Sequence, residues 1–399
     1  EIHGRMPPTA LFALPLAYGF PFQFGFVNFT LAIAMMFIGI GLWLRLRRTV
    51  GWRLRAAIFV PFAFALFIAH SVAWGMFGLV IFAIEMIAAR DEHRSWPHAV
   101  RSAALACLPL APPLLLMVDW WLHRSEDVPI SFSDWRAKFY YLSAVLRSDH
   151  EQFDLLGARL LMALAVLAML GRGMAIDRLG AAALALFAAF LAMPSILMGA
   201  SYADMRIAPY ALALALLGIA PRIERRLWLN LIAAGGLIFF GSRLAADGWS
   251  YAKLDRNYRA QLAALDHMPM GARIFAMADI PCPDTWSQPR IDHLGALAIV
   301  RRDAFVNGQW AMPGGRLLSV RYAPANGFAL DPTQFLEPET CRKIGSYSLE
   351  QTLALLPRKA FDYLWLIDLP PERWPHDLGL VPVWHGRRGI MYRIVPPVG

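Results

Sequence analysis

Long apolar stretches without a single charge decide what this chain can become. Residues 26–44, 179–199 and 207–220 contain no Asp, Glu, Lys or Arg. A helix rises about 1.5 Å per residue, so about 20 apolar residues cross the roughly 30 Å of hydrocarbon in a bilayer. Candidate spans fall at 26–44, 56–71, 73–89, 99–119, 153–171, 178–199, 206–220 and 227–243. Overall the chain is 58% hydrophobic and 17% charged, against about 45–50% and about 25% for a soluble domain. The excess is confined to residues 6–245, and residues 246–399 read like an ordinary soluble domain rich in Asp, Arg, Pro and Gly. The expected fold is therefore mainly α. A polytopic α-helical membrane domain of about eight transmembrane helices occupies 1–245, and a small C-terminal α/β extracytoplasmic domain occupies 246–399.

The arginines orient the bundle. Residues 56–89 are long for one helix and short for two, and a break near "HSVAWG" (70–75) resolves them into two. The linkers 45–55, 90–101, 171–178 and 221–226 then share one side and hold thirteen arginines. The other side holds Arg124, Arg136, Lys138, Arg147 and Arg206, mixed with six acids. Cytoplasmic loops carry the excess of Lys and Arg. The loop 120–152, "SYADMR" (201–206) and the C-terminal domain are thus expected outside the cytoplasm. The net charge of +9 follows from this topology and from arginines facing anionic lipid. No basic stripe with interleaved aromatics stands out, so nucleic acid is not an expected partner. Polar groups within the spans are few, and no internal repeat is seen, which makes transport a weak reading.

Chemistry gathers on the outer face. Asn28, in "GFVNF" (25–29), opens the first span, and His70 sits in "AHSVAWG" (69–75). The loop 119–154 carries Trp120, Trp121, Trp135, Tyr140 and Tyr141, which suit the lipid headgroup level. Asp204 and Arg206 lie two apart between two apolar runs. Arg206 can snorkel to lipid phosphate or pair with Asp204 as an anchor. Alternatively its planar fork grips the phosphate of a lipid-linked donor, with Asp204 orienting Arg206 or substrate hydroxyls. His70 is either a satisfied structural residue or a contact to a hydroxyl or pyrophosphate. HExxH, CxxC, GxSxG and Walker motifs are absent from the sequence, so zinc, redox and nucleotide-phosphate chemistry are not expected.

The stretches "GFVNFTLAIAMMFIGIGLWLRLRR", "FALFIAHSVAWGMFGLVIFAIEM" and "SYADMRIAPYALALALLG" resemble the bacterial polytopic membrane glycosyltransferases of GT-C type. The resemblance covers about residues 7–245. It implies a catalytic face on the periplasmic side of a bacterial inner membrane and a polyprenyl-phosphate-linked sugar as donor. It also implies a glycan, lipid or protein acceptor. Arg206 matches the outer-loop arginine near the lipid phosphate, and Asp204 its acidic neighbour. Glycosyl transfer further needs a carboxylate base and a counter-charge for the leaving phosphate, from an arginine or a divalent cation. Such enzymes keep the base in the first outer loop. Here the chain begins with Glu1, and "MPPTALFALPLAYGF" reads as mid-protein membrane sequence. An N-terminally truncated member is expected, with the base upstream of Glu1; by position alone Asp119, Glu126 and Asp127 are substitutes. The alternative is a non-catalytic membrane protein of envelope polysaccharide assembly, with the outer domain as a binding module.

In that domain "ARIFAMAD" (272–279) and "FDYLWLIDLP" (361–370) read as core strands, and "SLEQTLALLP" (348–357) as an amphipathic helix. "LGLVPVWHGRRGIMYRIV" (378–395) reads as a hairpin turning at "HGRRG". Cys282 and Cys341 both fall here and could pair in an oxidising compartment. Cys107 lies in a span as a small apolar residue.

Overall fold

A computed structural model describes residues 6–92, 95–123, 130–132, 134–170, 174–176, 178–197, 200–221, 225–282, 286–310, 319–342 and 346–395. The chain forms two compact units, Glu1–Asp247 and Gly248–Gly399.

The first unit is helical. Its helices are α1 (Phe20–Gln23), α2 (Val27–Thr49), α3 (Trp52–Ala69), α4 (Ser71–Asp91), α5 (Trp96–Ala106), α6 (Leu114–His123), α7 (Trp135–Ser143), α8 (Glu151–Leu170), α9 (Arg178–Ala192) and α10 (Ala208–Leu217). The next helix, α11, runs from Arg226 to Leu262, across the unit boundary. Five helices among the described residues are long and apolar enough to cross a membrane: α2, α3, α4, α8 and α11 with its 3-10 extension to His267. The expectation of eight spans is not met by length. Pro109, Pro112 and Pro113 break 99–119 into α5, a 3-10 turn at Leu108–Leu110 and α6, because proline cannot donate to a continuing helix. Helix α9 has 15 residues and α10 has 10, about 22 and 15 Å at helical rise.

Contacts gather the helix ends in two sets. Arg47, ending α2, donates to Glu85 near the end of α4 at 3.0 and 3.1 Å, and Trp43 Nε1 adds a third bond at 2.8 Å. Arg178, starting α9, donates to Asp91 at 3.0 Å, and Arg55, starting α3, lies over the Trp43 ring at 4.9 Å. The linker at 171–178 contributes β1 (Met174–Ile176). This strand pairs antiparallel with β2 (Ile219–Pro221), joining the ends of α8 and α10. The arginine-rich linkers thus share one end of the bundle. Between the ends, Gly39 lets α2 meet aromatic rings closely: a Cβ there would lie 2.6 Å from Phe62 and 3.1 Å from Phe77. Small residues serve helix packing in this way.

Residues Pro8–Tyr18 form a 3-10 helix of 11 residues, unusually long for this type. Its rise of about 2.0 Å per residue carries it roughly 22 Å. Near one end Thr9 Oγ1 donates to Ile219 O at 2.9 Å; just past the other, Phe20 N donates to Val145 O at 3.0 Å.

The second unit is an α/β fold. Strands β3 (Arg273–Asp279), β4 (Phe305–Val306), β5 (Phe335–Leu336), β6 (Tyr363–Ile367), β7 (Leu380–His385) and β8 (Gly389–Ile394) form one sheet in the order β4-β3-β6-β8-β7, with β5 also on β3. Strand β3 runs parallel to β4, β5 and β6, and β8 runs antiparallel to β6 and β7. Alternate residues of β3 and β6 enter two separate cores, Ile274, Ala276, Trp365 and Ile367 on one face and Phe275, Met277, Leu364 and Leu366 on the other. Burial on both faces explains why these strands read as unbroken apolar runs. Helix α12 (Leu297–Arg302) and the 3-10 extension of α11 supply residues to the first core. Helix α13 (Leu349–Leu355) packs against the second and starts with a capping box: Gln351 N donates to Ser348 Oγ at 3.1 Å, and Ser348 N to Gln351 Oε1 at 2.9 Å. The "HGRRG" turn is present, with Gly389 at φ +101°, open to glycine and strained for other residues.

One side of β3 is covered in two pieces. Strand β4 pairs with its start and β5 with its end. Ala276, between them, is satisfied by the fully buried Asn307 side chain, whose Oδ1 accepts from Ala276 N at 2.7 Å and whose Nδ2 donates to Ala276 O at 3.0 Å. A side-chain amide thus replaces a peptide group. Asn307→Ala orphans both backbone groups, each worth about 1–3 kcal/mol when buried and unpaired. We expect a local loss of roughly 2–6 kcal/mol, read by hydrogen exchange at the Ala276 amide in the full-length protein. Unchanged protection at Ala276 would show that the amide is not needed there.

Candidate functional site

The end of the bundle opposite the arginine-rich linkers carries a buried polar network. It forms where α10 begins, α9 ends and α3 turns into α4. In the segment before α10, Asp204 is 0% and Arg206 6% exposed. The Asp204 carboxylate accepts from Met205 N at 2.9 Å and pairs with Lys138 Nζ at 2.8 Å. Lys138, 4% exposed, sits on α7, and its three ammonium protons have three acceptors: Asp204, Phe190 O at 2.9 Å and Met193 O at 2.6 Å. The last carbonyls of a helix have no partner within it, so Lys138 caps the end of α9 while answering Asp204.

Arg206 turns elsewhere. Its Nη2 donates to Ser201 O at 3.0 Å, closing the turn on itself, and its Nη1 faces His70 Nε2 at 3.1 Å. The guanidinium lies 3.9 Å over the Phe26 ring, and Phe29 meets the His70 ring at 4.9 Å. Burial first, and the Arg206 charge second, push the His70 pKa down to about 4. The ring is neutral at pH 7. Guanidinium only donates, so a hydrogen bond from Arg206 needs the lone pair on Nε2. A neutral ring has one such lone pair, yet Val72 N also faces Nδ1 at 3.2 Å. One of these two approaches is therefore a contact rather than a full hydrogen bond.

A second buried cluster lies at the start of α8. Asp154 accepts from Ser148 N at 2.7 Å, from Ser148 Oγ at 3.0 Å and from Arg243 Nη1. Arg243 Nη2 also donates to Leu146 O at 2.7 Å, and Asp247 lies 3.8 Å away one turn along α11. Arg147 stacks 5.0 Å from the Phe20 ring. Between α8, α9 and α10 an apolar cavity of about 310 Å³ is lined by Met162, Phe187, Leu212 and Ile219, with Val145 and Ala208 beside the two clusters in sequence.

The sequence candidates are only partly brought together. Arg206 and His70 meet, and Asp204 belongs to the same segment but pairs with Lys138. Asn28 is exposed on α2. Asp119 is exposed on α6, 3.2 Å from His123 of the same helix. Glu126 and Asp127 lie outside the described residues. Among the described residues no group of three or more His, Cys, Asp or Glu converges. Lys138, Asp154 and Arg243 were not anticipated. The signal for Lys138 was a lone lysine on an aromatic-rich stretch, and periodicity gives no partner for it.

In the second unit Cys282 and Cys341 are joined in a disulfide, tying the segment after β3 to the one after β5. Open α/β sheets bind ligands outside the carboxyl ends of their strands. Here that end of β3 and β6 holds Asp279 and Asp368. Arg373 reaches Asp279 at 2.7 Å, and Arg388 reaches Asp368 at 2.9 Å. Both carboxylates at this end are thus paired with arginines of the same domain.

No protein-family model, curated protein or solved structure matches this chain.

Proposed function

We propose that the chain is an integral membrane glycosyltransferase of GT-C type. In this reading it moves a sugar from a polyprenyl-phosphate donor to an extracytoplasmic acceptor in the bacterial inner membrane, and the bundle has further spans built from its short elements. The observation that carries the reading is Arg206, held on Phe26 and against neutral His70 at the arginine-poor end. The apolar cavity between α8, α9 and α10 supports it, since a donor's chain needs such a lining. Arg206 would hold the phosphate by charge-assisted hydrogen bonds. The acceptor hydroxyl attacks the anomeric carbon, the carbon–oxygen bond to phosphate breaks, and polyprenyl phosphate leaves with the electron pair. A carboxylate takes the hydroxyl proton.

A second reading has its own support. Asp154 and Asp204 are both committed to internal cations, which suits a non-catalytic protein of envelope polysaccharide assembly that binds through its outer domain. Arg206→Ala separates the two. We expect it to weaken binding of a polyprenyl-phosphate analogue to purified protein by about 10- to 100-fold, the worth of hydrogen bonds to a charged group, with melting checked in both proteins. Unchanged binding in a folded variant makes Arg206 an interfacial anchor and favours the second reading.

A further inference from the structure

Tyr202 is the large exposed side chain of the "SYADMR" turn, next to exposed Ser201. Residues 203–206 are all buried, whereas Tyr202 is 40% exposed. Its backbone φ is +61°, in the left-handed region that residues with a Cβ adopt reluctantly. Glycine or asparagine fits there with less strain, so the strain is borne by a residue whose side chain is large and aromatic.

That side chain belongs to the same contact run as Arg206. The Tyr202 ring meets Phe24 edge-to-face at 5.0 Å, Phe24 meets Phe26 at 5.0 Å, and Phe26 carries the Arg206 guanidinium. The residue before it, Ser201, gives its carbonyl to Arg206. One short turn therefore displays an accessible aromatic ring and a buried guanidinium together. An aromatic residue serving only as a membrane-interface anchor has no need of a left-handed backbone.

We propose that Tyr202 is a sugar-binding platform, packing against the apolar C–H face of the pyranose in a lipid-linked donor whose phosphate Arg206 holds. The inference rests on the proposed phosphate grip and adds the half of the ligand that sets specificity. Sugar rings carry hydroxyls around the rim and apolar C–H faces, and aromatic rings supply rigid apolar contact for such faces.

The test uses full-length protein in nanodiscs and two kinds of probe. One is farnesyl phosphate. The other is a panel of its glucosyl, galactosyl, mannosyl and arabinosyl esters. Wild type is compared with Tyr202→Phe, which keeps the ring, and Tyr202→Gly, which removes it and suits the backbone. Glycine is at home at this φ, so lost binding cannot be ascribed to a strained turn, and melting temperatures verify the fold. We expect at least one ester to bind wild type more tightly than farnesyl phosphate. Tyr202→Gly should weaken that ester about tenfold, the size of one good aromatic contact, and leave farnesyl phosphate nearly unchanged. Tyr202→Phe should retain both. Equal losses for both probes would make Tyr202 a lipid-interface anchor and overturn the proposal. So would no loss at all, or no ester preferred by wild type, and in these last two cases the phosphate grip of Arg206 still stands. Wild type that binds neither probe brings down the glycosyltransferase reading, and the platform with it.

Discussion

Replacing Asp154 by Asn is expected to cost the membrane bundle about 3–5 kcal/mol, the usual result of stripping one partner from a buried ion pair. Asp154 is 0% exposed and faces Arg243, itself buried on α11. Asn keeps the shape and can still accept from Ser148, so packing is little disturbed. The loss is the negative charge that answers a guanidinium removed from water. Asp247 lies 3.8 Å from Arg243, too far to replace it without movement. Thermal melting of the detergent-solubilised protein reads the effect as a large drop in melting temperature. A double replacement, Asp154→Leu with Arg243→Met, should recover much of it, because well-packed apolar residues commonly substitute for a buried pair at little cost. A single variant that melts with wild type would mean that the pair does not hold α8 to α11.

Lys138→Met should be of similar size, about 3–5 kcal/mol, and its consequence is closer to the proposed site. It leaves the Asp204 carboxylate in a fully buried position and also uncovers the Phe190 and Met193 carbonyls at the end of α9. Adding Asp204→Asn removes the stranded charge and should restore part of the stability, although the two carbonyls stay uncapped. Melting again gives the readout. If Lys138→Met alone is neutral, Asp204 finds another cation, and Arg206 is the nearest by sequence.

These two residues mark the limit of what the sequence disclosed. Apolar runs identify α2, α4 and α8, the two central strands and the final hairpin, because burial on all sides or on alternate sides writes a local pattern. The same runs suggest spans at 99–119 and 206–220, where the helices formed are shorter than a membrane crossing. There, proline and the β1–β2 pairing cut the helices short, and the count is set by chain geometry rather than by hydropathy. The 3-10 helix at Pro8–Tyr18 leaves an apolar stretch that suggests lipid but no helix type. Adjacency in sequence suggests that Asp204 and Arg206 pair. In the fold Asp204 goes to a lysine on a distant stretch, and Arg206 goes to a histidine at a helix turn. Ion pairs between elements leave no periodic trace, so the identity of the polar residues was legible and their partners were not.

The divided flank of β3 has a consequence for the domain's neighbours. A sheet edge with a continuous row of free peptide groups is a template onto which another chain can add a strand. On one side of this sheet the row is broken into two two-residue strands with a side-chain amide between them. At the other side, β7 carries Pro382, which has no N–H to offer, and an irregular register between Pro382 and Trp384. Neither border presents a uniform ladder. The domain can therefore meet other exposed polypeptide at high local density and resist being drawn into edge-to-edge aggregates, even though its central strands bury apolar side chains on both faces.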